Sequence, residues 1–319
     1  GFVMGKILLV VPVHNRLSEV KELLSSLRTL NLDGLDLSIT IVDDASQEPV
    51  PKSIELEFSD LNLSLIHCDV NIGPSRARNL ALKKSDADIF WFLDSDSEID
   101  NPQVLNNMVE VLRTNHEIGA VGGVVEPVEG EWMVFEPISF LNTLGIPQYL
   151  RRRAYPLTFV SVIPTANLLI LKNVFELTNS FDERLPRNED GDLCMALKKL
   201  EYKSMQSEKT LVRHKLSRAG RDSGAFAHFQ DSKKYFADLL KTRSILLYKH
   251  SWWKLVILPI LDMLTLIEII LGSKKYNFKL VRFSMVKKEN KFVYYFNLAL
   301  LSAYYYFYGL LLPLKFRSR

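Results

Sequence analysis

The sequence predicts an α/β chain: a doubly wound, mostly parallel sheet followed by a hydrophobic helical region. Three observations carry that reading. Apolar runs alternate with amphipathic stretches through the first 125 residues. Three of those runs end in polar or acidic groups, His14-Asn15, Asp43-Asp44 and Asp94-Ser95-Asp96. The charge is divided too: from Lys241 onward fourteen Lys or Arg face three acids, so that stretch carries +11. Residues 1–240 then carry −8 within a net charge of +3.

The elements follow in order. "KILLVVPV" (6–13) is a continuous apolar run, as a strand buried on both faces requires. "SEVKELLSSLRTL" (18–30) spaces Val20, Leu23, Leu24, Leu27 and Leu30 as one helix face, with Ser18 positioned to cap it. "LSITIVDDAS" (37–46) is a second strand and "LSLIHCD" (63–69) a third. "GPSRARNLALKKS" (73–85) opens a helix with Pro74 in its first turn. "DIFWFLD" (88–94) is the fourth strand. Residues 126–165 are less regular, with the basic patch Arg151-Arg152-Arg153. Residues 165–204 read as strand, helix, acidic turn and helix. Strand-helix alternation implies right-handed crossovers, and such sheets bind ligands beyond the carboxyl ends of their strands.

Composition narrows the class. With 47% hydrophobic and 24% charged residues the chain folds, and Cys68 and Cys194 form no disulfide framework, as in a reducing compartment. No secretory signal is visible. An acidic body with a basic, apolar tail argues against nucleic acid as a partner and for an anionic membrane surface. The expected boundary divides 1–240 from a membrane-association region, 241–319. In the tail, 252–272 is apolar but holds Lys254, Asp262 and Glu268, whereas 292–314 has no charge in 23 residues and reads as a transmembrane helix. The basic stretch between them belongs on the cytoplasmic side. Two full spans would place it outside, so the first segment is expected to embed without crossing. Both segments packing on the body is the other reading.

Several clusters have a chemical and a plain structural explanation. Asp94 and Asp96 at a strand end can hold Mg²⁺ or Mn²⁺, or form a solvated acidic turn; Glu98 and Asp100 read as solvated turn and helix-cap residues. Asp43 and Asp44 suit either a base or ribose edge or a turn. Asn71, Gly73 and Arg78 in "NIGPSRARN" lie at a helix N-terminus that can face a diphosphate, or Arg76 and Arg78 balance nearby acids. Glu189 and Asp190, in "RNEDGDLCMALKK", are candidate general bases, while Asp192 suits a helix cap. His214 is by default structural. Arg213, Lys215, Arg218 and Arg221 around it fit a phosphate-contacting loop or plain surface.

The order of these pieces is more specific than any one of them. "VVPVHNR", "IVDDAS", "NIGPSRARN", "FWFLDSDSEI", "TANLLILKNVFELTNSFDE" and "NEDGDL" together closely resemble the family 2 glycosyltransferases of GT-A fold, over roughly residues 6–215. The resemblance implies that Pro12, Val13 and Asn15 lie along a nucleotide, with Asp43 or Asp44 reading its base. It puts Asp94 at the ribose or metal, Asp96 and His214 on the metal, and the catalytic base at Asp190. Two departures stand out: Arg16 follows Asn15 where an acid is common, and the Gln/Arg-x-x-Arg-Trp motif of processive synthases is absent. Single-sugar transfer from a nucleotide-diphosphate sugar to an acceptor hydroxyl on a lipid-linked or cell-surface glycan precursor is the expectation. Its rivals are a nucleotidyltransferase of similar fold, which usually has a Gly-rich loop after the first strand, and a catalytically degenerate membrane scaffold.

Overall fold

The computed structural model describes residues 5–83, 85–125, 158–160, 162–215, 232–253, 255–257, 259–260, 303–304 and 306–311. They form two compact units. The first takes in the described residues up to Val125, 158–183 and 189–215; the second takes in 184–188 and those from Ser232 on. The patch 151–153, Arg218, Arg221, and most of 252–272 and 292–314 lie outside the described residues.

In the first unit the parallel half of the sheet comes from β1 (Lys6–Val13), β2 (Asp36–Asp43), β3 (Leu63–His67) and β4 (Ile89–Leu93). After them come β5 (Ser97–Glu98), β6 (Ile118–Gly122), β7 (Val124–Val125), β8 (Thr158–Val160), β9 (Asn167–Leu171), β10 (Lys203–Gln206) and β11 (Val212–His214). Eight strands form one sheet in the order β3-β2-β1-β4-β9-β6-β10-β8. β9 runs antiparallel to both β4 and β6, and β8 antiparallel to β10. A second sheet of three short strands has the order β5-β11-β7.

Period-2 alternation sorts the buried strands onto two cores. Ile7, Leu9, Val11, Ile89, Trp91 and Leu93 face one side with Val20, Leu23, Leu24 and Leu27 of α1 (Leu17–Leu27). Leu8, Val10, Phe90 and Phe92 face the other, against Ala77 and Ala81 of α3 (Pro74–Leu82), which follows the short α2 (Ile54–Glu57). Each fully buried aliphatic or aromatic side chain of this kind contributes about 1.5–3 kcal/mol. Two cores explain why β1 and β4 read as unbroken apolar runs. α4 (Val104–Thr114) packs into the first core; α5 (Lys172–Leu177) and α6 (Glu189–Lys199) pack into the second.

Two local expectations are corrected. Ser18 lies inside α1 rather than capping it. Asn15 adopts φ 53, a left-handed conformation that Asn tolerates, and the helix begins two residues further on, with Val20 N donating to the Arg16 carbonyl. Glu98 sits in a strand, and α4 begins after Gln103, so Asp100 caps nothing.

In the second unit α7 (Ser232–His250) buries Leu240, Ile245, Leu246 and Leu247. Leu247 packs with Leu255 and Tyr306, and Ile245 and Leu246 with Leu185 and Tyr308. Among the described residues no helix is long and apolar enough to cross a membrane.

Candidate active site

The site forms where β1, β2 and β4 leave the sheet. Past β1, Pro12 is half-buried and Val13 buried, and the left-handed turn at Asn15 is fastened on both sides. Asn15 N donates to Ser46 Oγ at 2.8 Å, and Gln47 N donates to Asn15 Oδ1 at 2.7 Å. Past β2, the two acids act as backbone braces. Asp43 accepts from Ser46 N at 3.1 Å and Val50 N at 2.8 Å; Asp44 accepts from Ile72 N at 2.6 Å and Gly73 N at 2.9 Å. Gly73 has φ +83, and a Cβ there would meet nothing within 4 Å, so its need for glycine is conformational. Asn71 is exposed, 3.3 Å from His14 Nδ1.

Beyond β4 the two aspartates of the "LDSDSE" turn are each matched by an arginine. Arg78, 2% exposed on α3, donates from Nη2 to Asp94 Oδ1 at 2.9 Å and from Nη1 to Glu189 Oε1 at 2.6 Å. Arg16 Nη1 stands 3.0 Å from Asp96 Oδ1, with the Asp96 side chain wholly buried. Burial opposes the charge on Arg78, but Glu189 and Asp94, with a smaller contribution from Asp190, hold its pKa above the ordinary value. Arg78 is thus an internal strut that balances acids, rather than an open diphosphate contact. This resolves the crowding of carboxylates after β4, since two such acids without counter-charge would repel.

His214 arrives through the second sheet. β11 pairs antiparallel with β5, setting His214 opposite Ser97, and Lys215 N donates to the Asp96 carbonyl at 2.9 Å. That register brings His214 Nε2 to 3.3 Å from Asp96 Oδ1 and 3.7 Å from Asp94 Oδ2. One ligand atom from each of Asp94, Asp96 and His214 lies within 4.8 Å of the others. Two carboxylate oxygens and an imidazole nitrogen make a donor set that fits a divalent cation.

The register depends on a buried polar web that the sequence did not reveal. Trp91 Nε1 donates to Asn167 Oδ1, while Asn167 Nδ2 donates to the carbonyls of Gly123 and Thr210, each at 2.8 Å. Thr210 Oγ1 in turn donates to the Gly122 carbonyl at 2.8 Å.

Glu189 and Asp190 open α6, and the buried stretch runs through Asp192, more burial than a plain capped turn needs. Thr165 Oγ1 also donates to Glu189 Oε1, at 3.3 Å, so Glu189 is committed to the Arg78 strut. Asp190 Oδ1 accepts from Gly191 N at 2.7 Å. The basic residues flanking His214 meet acids: Arg213 pairs with Asp100 at 3.3 Å, and Lys215 with Glu22 at 2.5 Å and Glu98 at 3.5 Å. Arg16 and Thr165 are site residues with no assigned role in the sequence reading. Arg16 stands out as a departure from its motif, and Thr165 opens the "TANLLILKN" stretch, which gives it a place but no role.

A mostly parallel sheet of this order, with Asp94, Asp96 and His214 gathered at its strand ends, is an α/β fold whose candidate site lies beyond the carboxyl ends of its strands. Residues 8–177, more than half of the chain, match Glycosyl transferase family 2, and the chain belongs to that family. A pre-mycofactocin glycosyltransferase of Mycobacterium tuberculosis is 30% identical over 196 residues, 59% of this chain and 38% of that protein. The poly(ribitol-phosphate) β-N-acetylglucosaminyltransferase TarS of Staphylococcus aureus is 30% identical over 191 residues, 60% of this chain and 29% of TarS. The chain therefore spans well under half the length of these two relatives. The structure of S. aureus TarS 1-349 in complex with UDP-GlcNAc superposes with a TM-score of 0.55 at 18% identity, covering 87% of this chain and 76% of that one. The mannosyltransferase PcManGT of Pyrobaculum calidifontis, in complex with GDP-Man and Mn²⁺, gives a TM-score of 0.53 at 17% identity, covering 100% and 89%. At these identities the likeness shows the fold, the GT-A arrangement that the motifs imply.

Proposed function

We propose that this chain is an inverting glycosyltransferase that moves one sugar from a nucleotide-diphosphate sugar to an acceptor hydroxyl. The observation that carries the reading is the convergence of Asp94, Asp96 and His214 at the sheet's ligand-binding edge, tied through Arg78 to Glu189, the neighbour of Asp190. Pro12, Val13, Asn15, Asn71 and Gly73 line the strand ends on which a nucleotide would lie, with Asp43 and Asp44 shaping the loops around its base. Asp94, Asp96 and His214 would hold a divalent cation, which would supply positive charge to the leaving diphosphate. The two carboxylates of this donor set suit Mg²⁺ or Mn²⁺.

Asp190 is the base in this scheme. Its carboxylate takes the proton of the acceptor hydroxyl while the acceptor oxygen attacks the anomeric carbon. The anomeric carbon–oxygen bond to the diphosphate breaks, and its electron pair leaves on the nucleotide diphosphate. Glu189 does not take that proton; it anchors the start of α6 to Arg78.

The acceptor we favour is a lipid-linked or cell-surface glycan precursor. The reading is supported by the +11 charge of the C-terminal stretch and by exposed apolar side chains in the second unit. Trp252 is 67% and Trp253 54% exposed, and Val256, Ile260 and Phe307 are exposed as well. Aromatic and basic residues of this kind suit a membrane surface on the cytoplasmic side. A thermal-shift panel of nucleotide-diphosphate sugars with Mn²⁺ tests the donor class, because a ligand that binds only the folded state raises apparent stability. At least one sugar nucleotide should raise the melting temperature, and a flat response across uridine, guanosine, cytidine and thymidine donors overturns the reading.

A further inference from the structure

We infer that Arg16 is a resident cation that competes with the divalent metal for Asp96, so that metal binding requires its guanidinium to move. The inference rests on the metal reading of Asp94, Asp96 and His214 given above. Arg16 contacts the oxygen of Asp96 that faces His214: Nη1 lies 3.0 Å from Oδ1, and His214 Nε2 lies 3.3 Å from that same atom. A metal ion bonds a carboxylate oxygen at about 2.0–2.6 Å. Wherever on Oδ1 such an ion sits, it lies within about 5–6 Å of Arg16 Nη1 as that side chain now stands. A double and a single positive charge so close repel, and even in the dielectric of water the penalty weakens binding about tenfold. The Asp96 side chain is wholly buried and that of Arg16 nearly so, which lowers the effective dielectric and raises the penalty.

The local backbone explains why the arginine is aimed there. Asn15 turns left-handed at the end of β1, and Arg16 occupies the position just before α1, with φ −141 and no side-chain role in capping. Its guanidinium stands against Asp96 and makes no cap to the helix end. The 11% exposure of its side chain leaves it a way out toward solvent, unlike Arg78, which is enclosed and held by two acids. The two arginines thus have different tasks. Arg78 permanently balances Asp94 and Glu189, whereas Arg16 balances Asp96 only until a metal replaces it.

The test measures Mn²⁺ binding to the full-length protein by the electron paramagnetic resonance of free Mn²⁺, with no substrate present. Arg16→Gln should bind Mn²⁺ at least about tenfold more tightly than wild type, and Arg16→Lys, which keeps the charge, should stay close to wild type. In chelator, Arg16→Gln should melt below wild type because Asp96 loses a counter-charge, and Mn²⁺ should raise its melting temperature by more. Equal or weaker Mn²⁺ binding by Arg16→Gln, with Asp96→Asn abolishing binding, overturns the competition while leaving the metal site standing. Arg16→Lys binding as tightly as Arg16→Gln also overturns it, since charge would then not be the cause. Absence of Mn²⁺ binding in wild type and Arg16→Gln alike overturns the metal site and the inference with it.

Discussion

Arg78 and Glu189 meet in a 2.6 Å guanidinium–carboxylate hydrogen bond between residues 111 positions apart, one on α3 and the other opening α6. The bond fixes the start of the helix that bears Asp190 relative to Asp94, which the same guanidinium contacts. Removing one partner of a buried ion pair leaves a charge uncompensated and costs about 3–5 kcal/mol. Arg78→Met should therefore lower stability by about that amount in urea denaturation, and Arg78→Lys, without the fork that reaches both acids, should recover only part of it.

Asp190→Asn should reduce transfer by at least about a hundredfold, as loss of a general base does, while nucleotide binding by calorimetry stays near wild type. Glu189→Gln should act differently, lowering stability first because Arg78 loses one of its two acids. If Asp190→Asn turns over at the wild-type rate, the assignment of the base fails.

Asn167 sits fully buried between Trp91 and the segment leading into β11. Asn167→Ala takes the partner from the Trp91 indole N–H and the Thr210 carbonyl, while the Gly123 carbonyl keeps Val212 N; each unsatisfied buried group costs about 1–3 kcal/mol. Total loss of several kcal/mol is expected in urea melts, together with weaker Mn²⁺ binding because the strand carrying His214 loses its support.

Cys194 supplies a pH prediction. Burial pushes its thiol up to about 12 from an ordinary value of 9.0. Above pH 9 the unfolded chain gives up this proton while the folded chain keeps it, so stability falls as pH rises between those two values. The slope is about 1.4 kcal/mol per pH unit. Comparing urea melts of wild type and Cys194→Ala at pH 8, 9 and 10 isolates it: the difference between the two should shrink as pH rises.

For the membrane reading, the full chain should sediment with vesicles of anionic phospholipid and much less with neutral ones, since attraction to basic residues depends on lipid charge. Trp252→Ser together with Trp253→Ser should weaken sedimentation, and indifference to both lipid charge and the double substitution argues against the surface.

The sequence made the parallel half of the sheet legible because burial on both faces leaves unbroken apolar runs, and β1 begins and ends where its run does. Strand ends, Pro74 and the acidic pairs were equally visible, being fixed by local chemistry. What escaped depends on pairing across the chain. The antiparallel direction of β9 is set by its neighbours β4 and β6, and its five residues read alike in either direction. The two- and three-residue strands of the second sheet are too short to carry a period. Residue type alone left His214 ambiguous, and only its register opposite Ser97 brings it to the acids. The partners of Arg16 and Arg78 likewise follow from tertiary placement, although both arginines stood out in their motifs.

The pairing of β5 with β11 also sets a schedule. The Arg213–Asp100 ion pair spans 113 positions, and His214 lies beyond Arg213 in the chain. Contacts of such long range pay their loop-closure entropy late in folding. On a ribosome, Asp94 and Asp96 emerge long before the histidine that completes their cluster. Arg16, which stands 3.0 Å from Asp96 in the folded chain, is made earlier still. The cluster of Asp94, Asp96 and His214 therefore closes only once β11 has been made.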